Sequence, residues 1–164
     1  MYIQTLYLQH NQAMARDTTQ AMLDRMEREC VGNQLRILSR VLTGIYEDEL
    51  RPLKMKVSQM VILVLTAKQR QVRAVELSQA LHTDASTLSR NLERMRTRGW
   101  LEQAPREDGR SRPFRLTAEG EKVLREAIRA WERAQAKAVE MVGREGTRSL
   151  RRITEKVKEG APAL

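Results

Sequence analysis

Arginine side chains are concentrated in the stretch "PREDGRSRPFRLTAEG", residues 105–120, where four of them surround an Asp108-Gly109 pair. Asp-Gly between short alternating runs is a strong hairpin signal, because a tight turn of the primed types needs residues that tolerate a positive φ. Phe114 and Leu116 then alternate with Pro113 and Arg115, so the returning strand has one apolar and one polar face. The stretch predicts a small two-stranded ribbon with a cationic tip.

The chemistry that this ribbon could perform is the binding of a polyanion. Residues 86–115 carry eight arginines, no lysine and four acids, a local charge of +4. A planar guanidinium can grip a phosphate or a guanine edge with two bonds, and it fits a narrow minor groove. Asp108 lies two residues before Arg110 and can hold that guanidinium in a fixed direction. Arg112 on the same ribbon is a further candidate contact.

Composition supports an anionic partner and limits the class of protein. The 164 residues carry a net charge of +9, with 41% hydrophobic and 31% charged residues, so a packed core is expected. Aromatic residues are only 4%, which argues against modules that stack unpaired bases on exposed rings. The single cysteine, Cys30, fits a reducing compartment. We expect no signal peptide and no membrane span, and therefore a cytoplasmic protein.

The elements that must position the ribbon are two short helices before it. A helix over 74–81, a turn and a helix over 85–98 are predicted. The second helix has apolar residues at i, i+4 and i+7 (Leu88, Leu92 and Met95) that can bury against the first. Helix, turn, helix and ribbon in this order are typical of a winged helix-turn-helix, whose second helix enters the major groove of DNA.

The other side of the second helix is predicted to carry the DNA contacts. Asp84 is expected to cap this helix at its start, and Gly99 to end it. Small hydroxyls near the N-terminus allow a close approach, and the helix dipole favours phosphate there. The candidate contacts on this helix are Ser86, Thr87, Ser89, Arg90, Asn91 and Arg94.

The remaining chain is predicted to be helical. Pro52 should end one long helix, Ser58 is a plausible cap for the next, and Gly143 and Gly146 should interrupt the last. The helices are expected over 11–28, from Val31 to about residue 50, and over 58–68, 117–142 and 147–159. Their apolar stripes are Val31, Leu35, Leu38, Leu42 and Ile45; Leu124, Ile128, Trp131, Ala134, Ala138 and Met141; and Leu150, Ile153 and Val157.

The segment "ELSQALHTDASTLSRNLERMRTRGWLEQAPREDGRSRPFRLTAEG" resembles the DNA-binding lobe of the MarR family of bacterial regulators. Its most specific part is Asp108-x-Arg110 followed by Leu116-Thr117-x-x-Gly120, which matches the family's wing signature. The resemblance implies a mainly α fold in which a winged helix-turn-helix lobe is flanked by long dimerisation helices. The expected divisions are 1–50 for the N-terminal dimerisation helices, 51–116 for the lobe and 117–164 for the C-terminal dimerisation helices.

The resemblance also implies a function. Ser86, Thr87, Arg90 and Arg94 would contact the major groove, and Arg110 would enter the minor groove. The hypothesis is a sequence-specific regulator of transcription, a repressor, that binds a pseudo-palindromic operator in double-stranded DNA as a homodimer. A small aromatic or anionic effector could release it, and the protein would be associated with the nucleoid.

Other classes remain alternatives. A non-specific architectural DNA-binding protein shares the basic surface and differs in its lack of sequence discrimination. An enzyme, a metal site or a cofactor is not expected, because His10 and His82 have no paired acids at catalytic or metal-ligand spacing. A membrane-surface helix near the C-terminus lacks an aromatic residue on its apolar side. Cys30 is expected to be a small buried residue at a helix start, without a redox role.

Overall fold

A computed structural model describes residues 18–105 and 112–160. The chain divides into two compact units, Met1–Leu42 and Thr43–Leu164. The predicted residues 11–17, Asp108 and Arg110 lie outside the described residues. The helices are α1 (18–29), α2 (Val31–Leu50), α3 (Val57–Gln69), α4 (Ala74–Leu81), α5 (Ala85–Thr97) and α6 (Ala118–Gly160), and the strands are β1 (Leu101–Gln103) and β2 (Phe114–Leu116).

The first unit consists of α1 and the first part of α2, which meet at Cys30. Backbone hydrogen bonds from Cys30 N to Met26 O (3.1 Å) and from Gln34 N to Cys30 O (3.0 Å) span the junction. Cys30 is exposed, so the expectation that it is buried is wrong. The large apolar residues exposed in this unit are Met22, Leu23, Met26, Val31, Leu35, Ile37 and Val41.

The break predicted at Pro52 is present. Helix α2 ends at the buried Leu50, and a short 3-10 turn (Arg51–Leu53) follows with Pro52 in its first turn, where a missing N–H costs little. Helix α3 then begins at Val57, one residue earlier than predicted. Its start is not capped by Ser58: the Gln59 side-chain oxygen accepts from the backbone N of Lys56 (3.1 Å).

The helix-turn-helix has the predicted bounds to within one residue. Leu77 of α4 is fully buried, and Leu88, Leu92 and Met95 of α5 are all buried in the same core. Leu81 is half-buried against this core. The predicted pairing of the two helices through their apolar faces is therefore confirmed.

The ribbon is an antiparallel pair in which Leu101 lies opposite Leu116 and Gln103 opposite Phe114. Phe114 is buried and Arg115 is exposed, as the alternation predicts. A bridge that the sequence did not reveal adds Val72, which exchanges two backbone hydrogen bonds with Phe114 (3.0 and 2.8 Å). The segment between α3 and α4 thus joins the ribbon as a third, single-residue edge.

The Thr117–Gly120 part of the wing signature has a local physical explanation. The Thr117 hydroxyl accepts from Gly120 N (2.9 Å) at the start of α6, which confirms the predicted cap. Thr117 N also donates to Trp100 O (3.2 Å) at the end of the preceding turn. A Cβ on Gly120 would lie 2.0 Å from Trp100 O. Only glycine allows α6 to start this close to the strand.

Helix α6 buries only part of the predicted stripe, namely Leu124, Ala134 and Ala138. Its buried residues are Gly120, Val123, Leu124, Ala127, Ala130, Ala134 and Ala138. Ile128, Trp131 and Met141 are exposed, so the single stripe proposed from the sequence mixes two faces. Small alanines allow the close approach of α6 to the core, whereas the larger residues lie on the other side. Gly143 (φ 76°, ψ 160°) breaks the helix, but Gly146 shows no such departure.

Polar contacts join the last turns of α2 to α6 within the second unit. Glu49 lies 2.8 Å from Arg133 and 2.6 Å from Lys137, and Tyr46 donates to the side chain of Gln135. The hydrogen bond from Lys137, then that from Arg133, holds the pKa of Glu49 below its ordinary value. These contacts fix α6 to the end of α2, and hence to the core that supports α5.

Candidate nucleic-acid interface

The N-terminus of α5 is fixed by its cap. Asp84 Oδ1 accepts from Thr87 N (2.8 Å) and from the Ser86 hydroxyl (2.6 Å). These hydrogen bonds, that of Ser86 first, hold the pKa of Asp84 far below its ordinary value. The predicted cap is confirmed, and its carboxylate stays charged at neutral pH.

The C-terminus of α5 is fixed by a glycine turn. Gly99 has φ 70°, a conformation that glycine adopts without steric cost. Gly99 N donates to Arg96 O (2.8 Å) and Trp100 N to Met95 O (2.9 Å), which is the pair of bonds that defines the Schellman motif. This turn sets the direction in which the chain leaves α5 for β1, and so relates the helix to the ribbon.

The structure brings most of the predicted helical contacts to one surface. With Leu88, Leu92 and Met95 buried, the opposite side of α5 is accessible. Ser86, Ser89, Arg90 and Arg94 are exposed, while Thr87 and Asn91 are half-buried along one edge of the surface. Two arginines and two serine hydroxyls are thereby accessible to a binding partner over the first three turns of a helix whose other side is buried in the core.

The ribbon contributes a second basic element. Arg112 is exposed at the start of the returning strand. Arg115 pairs with Glu102 on the opposing strand (2.7 Å), so it is partly neutralised at the base of the wing. Ala104 N donates to Pro113 O (2.8 Å); the reciprocal bond cannot form, because proline has no N–H.

A cleft of about 520 Å³ separates α5 from the ribbon. Ser89 and Arg96 line it from the helix, and Gln103 and Arg112 line it from the strands. Ser89 therefore faces the wing side of the helix rather than its outermost side. Sequence reasoning did not single out Arg96 or Gln103, because their placement depends on how the ribbon folds back over α5.

Arg98 is another residue that the sequence reasoning did not single out. Its guanidinium lies 4.8 Å from the centroid of the Trp100 ring and donates to Lys54 O (2.5 Å). A cation above an aromatic face is attracted by the ring quadrupole. Arg98 is exposed, and its contacts join the end of α5 to the turn before α3.

Two further observations concern other site types. Among residues 18–105 and 112–160, no group of three or more His, Cys, Asp or Glu side chains is arranged to hold a metal ion. In the same residues, no helix is both long and apolar enough to cross a membrane.

A family model for the winged helix DNA-binding domain matches residues 55–120. This match covers α3 to the start of α6, including the whole helix-turn-helix and the ribbon. The class of the second unit is therefore defined: it contains a winged helix DNA-binding domain. The comparison with curated protein sequences gives no match.

Solved structures extend the likeness beyond the winged helix. A MarR mutant from E. coli complexed with operator DNA has a TM-score of 0.73 at 21% identity, covering 81% of this chain and 96% of that one. BpsR from Bordetella bronchiseptica has a TM-score of 0.71 at 20% identity, covering 80% and 96%. A probable transcriptional regulator from Pseudomonas aeruginosa has a TM-score of 0.73 at 18% identity, covering 79% and 98%.

The family model shows a winged helix DNA-binding domain, and the fold of the chain is similar to the folds of these MarR-type structures. The resemblance inferred from the sequence, and the mainly α fold that it implied, are confirmed.

Proposed function

We propose that this protein is a transcriptional regulator that binds a pseudo-palindromic operator in double-stranded DNA as a homodimer and represses the genes beside it. The observation that carries the proposal is the two-sided character of α5. One side is locked into the core by Leu88, Leu92 and Met95, and the other presents Arg90 and Arg94 to solvent. A rigid helix with arginines on its open side can enter a major groove.

The wing supplies the second half of the proposed contact. In this proposal Arg110, oriented by Asp108, enters the minor groove next to the major groove occupied by α5. Arg112, exposed where the returning strand begins, contacts the intervening phosphates. The side chains on α5 and the wing would then read one half-site over two successive grooves.

A homodimer is supported by the apolar residues of the flanking helices. Ile153 and Val157 of α6 are 54% and 60% exposed, and Val31 and Leu35 of α2 are 67% and 54% exposed. Pairing with the same helices of a second copy would remove this surface from water. We therefore assign residues 1–50 and 117–164 to dimerisation and 51–116 to DNA binding.

Release by a small effector is part of the proposal. BpsR is described as having its DNA binding regulated by 6-hydroxynicotinic acid, and its fold covers most of this chain. We propose that a small aromatic or anionic compound lowers the operator affinity of this protein. Thermal-shift screening of such compounds, followed by titration of the operator complex, tests this part separately.

The experiment that tests the main proposal is selection of genomic fragments by the purified full-length protein. The expected result is a two-fold symmetric site whose half-site centres are about one helical turn, ~34 Å, apart. Binding of that site should exceed binding of random DNA by about a thousandfold or more at fixed salt. Transcription from a promoter that contains the site should fall when the protein is added.

A charge-matched pair of variants separates sequence reading from bulk electrostatics. Arg94→Ala should lower operator affinity about tenfold or more and relax base preference, because it removes a proposed base contact. Arg129→Ala removes the same charge from an exposed position on α6 and should change affinity little. If selection enriches no common site and both variants weaken binding equally, the protein is an architectural DNA binder instead.

A further inference from the structure

The two arginines on the exposed side of α5 are held differently. Arg90 Nε donates to the backbone O of Ser86 (3.2 Å), and its Nη2 donates to the Ser86 hydroxyl (3.4 Å). The side chain of Arg94, one turn further along, makes no hydrogen bond or ion pair with any of the described residues. The side chain of Arg90 therefore lies back along the helix towards its N-terminus, whereas no such contact holds the side chain of Arg94.

Ser86 is itself held by the helix cap. Its hydroxyl donates to Asp84 Oδ1 (2.6 Å), the same oxygen that accepts from Thr87 N. A serine hydroxyl has one proton and two lone pairs. Because the proton is committed to Asp84, the lone pairs remain for a donor, and Arg90 supplies one. The order of the contacts is Asp84 to Ser86 to Arg90.

The arrangement leaves Arg90 able to bind DNA. A guanidinium has five N–H groups, and the two bonds to Ser86 use two of them. The other three remain for a base edge or a phosphate. Holding the side chain in one orientation before binding reduces the conformational entropy that is lost on binding.

We infer that Asp84 and Ser86 are positioning residues that set the direction of Arg90, and thereby the base pair that α5 selects. In this role Ser86 acts through Arg90, not as a direct contact to DNA. The inference rests on the proposed function, since it concerns how the same helix reads its operator.

A double-mutant cycle on the full-length protein tests this role, with affinity for the selected operator and for random DNA measured at one salt concentration. Ser86→Ala should lower the preference for the operator about fivefold, the effect of one lost hydrogen bond. In the Arg90→Ala background, the same substitution should have no further effect. In the Arg94→Ala background its effect should be undiminished, which makes that cycle the internal control.

A second pair of variants tests the role of the hydroxyl at position 86 with two side chains of nearly the same shape. Ser86→Thr keeps the hydroxyl and should retain operator preference, whereas Ser86→Val, of nearly the same shape, should lose it. Both introduce the same branching, so a change in helix propensity affects them similarly. Melting temperatures of the variants confirm that α5 is folded in each.

The outcomes separate the two proposals. If the wild-type protein shows no preference for any site, the proposed function fails before the cycle begins. If the wild type has an operator but the effects of Ser86→Ala and Arg90→Ala are additive, Ser86 contacts DNA independently and the positioning role is overturned. Equal loss of preference with Thr and Val at position 86 would also overturn it.

Discussion

The winged helix lobe and the helices that flank it differ in how many large apolar side chains they expose to solvent. Within residues 51–116, the described large apolar side chains that are exposed are Val64 and Val75. Many more large apolar side chains are exposed in α1, α2 and α6. They are Met22, Leu23, Met26, Val31, Leu35, Ile37, Val41, Ile128, Trp131, Met141, Ile153 and Val157. The lobe buries most of its large apolar side chains within one chain, whereas the flanking helices leave many of theirs exposed.

The two regions therefore control different properties of the protein. The lobe, supported by the first half of α6, holds α5 and the ribbon in a fixed geometry without help from a second copy. In our proposal the flanking helices determine assembly, and therefore the spacing between two copies of α5. Substitutions in the two regions should consequently affect different measurements.

The largest loss of stability is expected at Gly120. A Cβ there would lie 2.0 Å from the Trp100 carbonyl oxygen, so the start of α6 must move away from the ribbon. Gly120→Ala should lower the free energy of unfolding by about 3 kcal/mol or more. Urea denaturation followed by circular dichroism measures this change.

Gly44 is the matched control for that substitution. It lies inside α2, no atom lies within 4 Å of an added Cβ, and its φ is not positive. Gly44→Ala should therefore stabilise the protein by about 0.5–1 kcal/mol through helix propensity. A similar loss of stability for both alanine variants would contradict the close approach at Trp100.

Substitutions at Leu77 and Val157 allow a direct comparison of the lobe with the flanking helices. Leu77 is fully buried in the lobe and Val157 is 60% exposed on α6. Leu77→Ala should lower the free energy of unfolding by about 2–5 kcal/mol, since it leaves a cavity in a close-packed core. Denaturation should be followed at several protein concentrations, because any contribution of dimerisation to the free energy of unfolding depends on concentration, whereas that of the lobe core does not.

Val157→Asp should instead shift assembly. A charge on the proposed dimer face should raise the dissociation constant of the homodimer about tenfold or more and leave the circular dichroism spectrum of the lobe unchanged. Analytical ultracentrifugation over a dilution series measures this. A wild-type protein that remains monomeric at all concentrations would show that the exposed face serves another purpose.

A smaller, pH-dependent effect is expected at Glu49. Its folded-state pKa is lowered by Lys137 and Arg133, so its contribution to stability is present above the unfolded-state pKa of about 4.3 and declines as the pH falls below it. Glu49→Gln should lower the melting temperature at pH 7 by less than Leu77→Ala does. The gap between wild type and variant should narrow between pH 5 and pH 3, and a gap that widens would contradict this sign.

Local features of the lobe were predictable because short-range physics decides them. Asp84 and Thr117 cap helices through contacts within three residues, and Gly99 occupies a position that needs a positive φ. The i, i+4, i+7 spacing of Leu88, Leu92 and Met95 identified the buried side of α5 and, by exclusion, its open side.

Features that depend on long-range packing were not predictable. Alanine is compatible with either face of a helix, so the sequence could not show that Ala127, Ala130 and Ala134 face the core while Trp131 does not. The single-residue bridge at Val72 has no periodic signal. Arg90 and Arg94 were likewise predicted to be equivalent DNA contacts. The contact of Ser86 with Arg90 alone depends on side-chain orientation, which the sequence does not show.

In our proposal the open side of α5 reads DNA sequence. Competition between the selected operator and random DNA, at fixed salt, measures it most directly in the double variant Arg90→Ala/Arg94→Ala. We expect the operator preference, about a thousandfold in the wild type, to fall close to one in this variant, while its melting temperature hardly changes. A double variant that is folded and keeps the wild-type preference would show that these two arginines do not read the operator sequence.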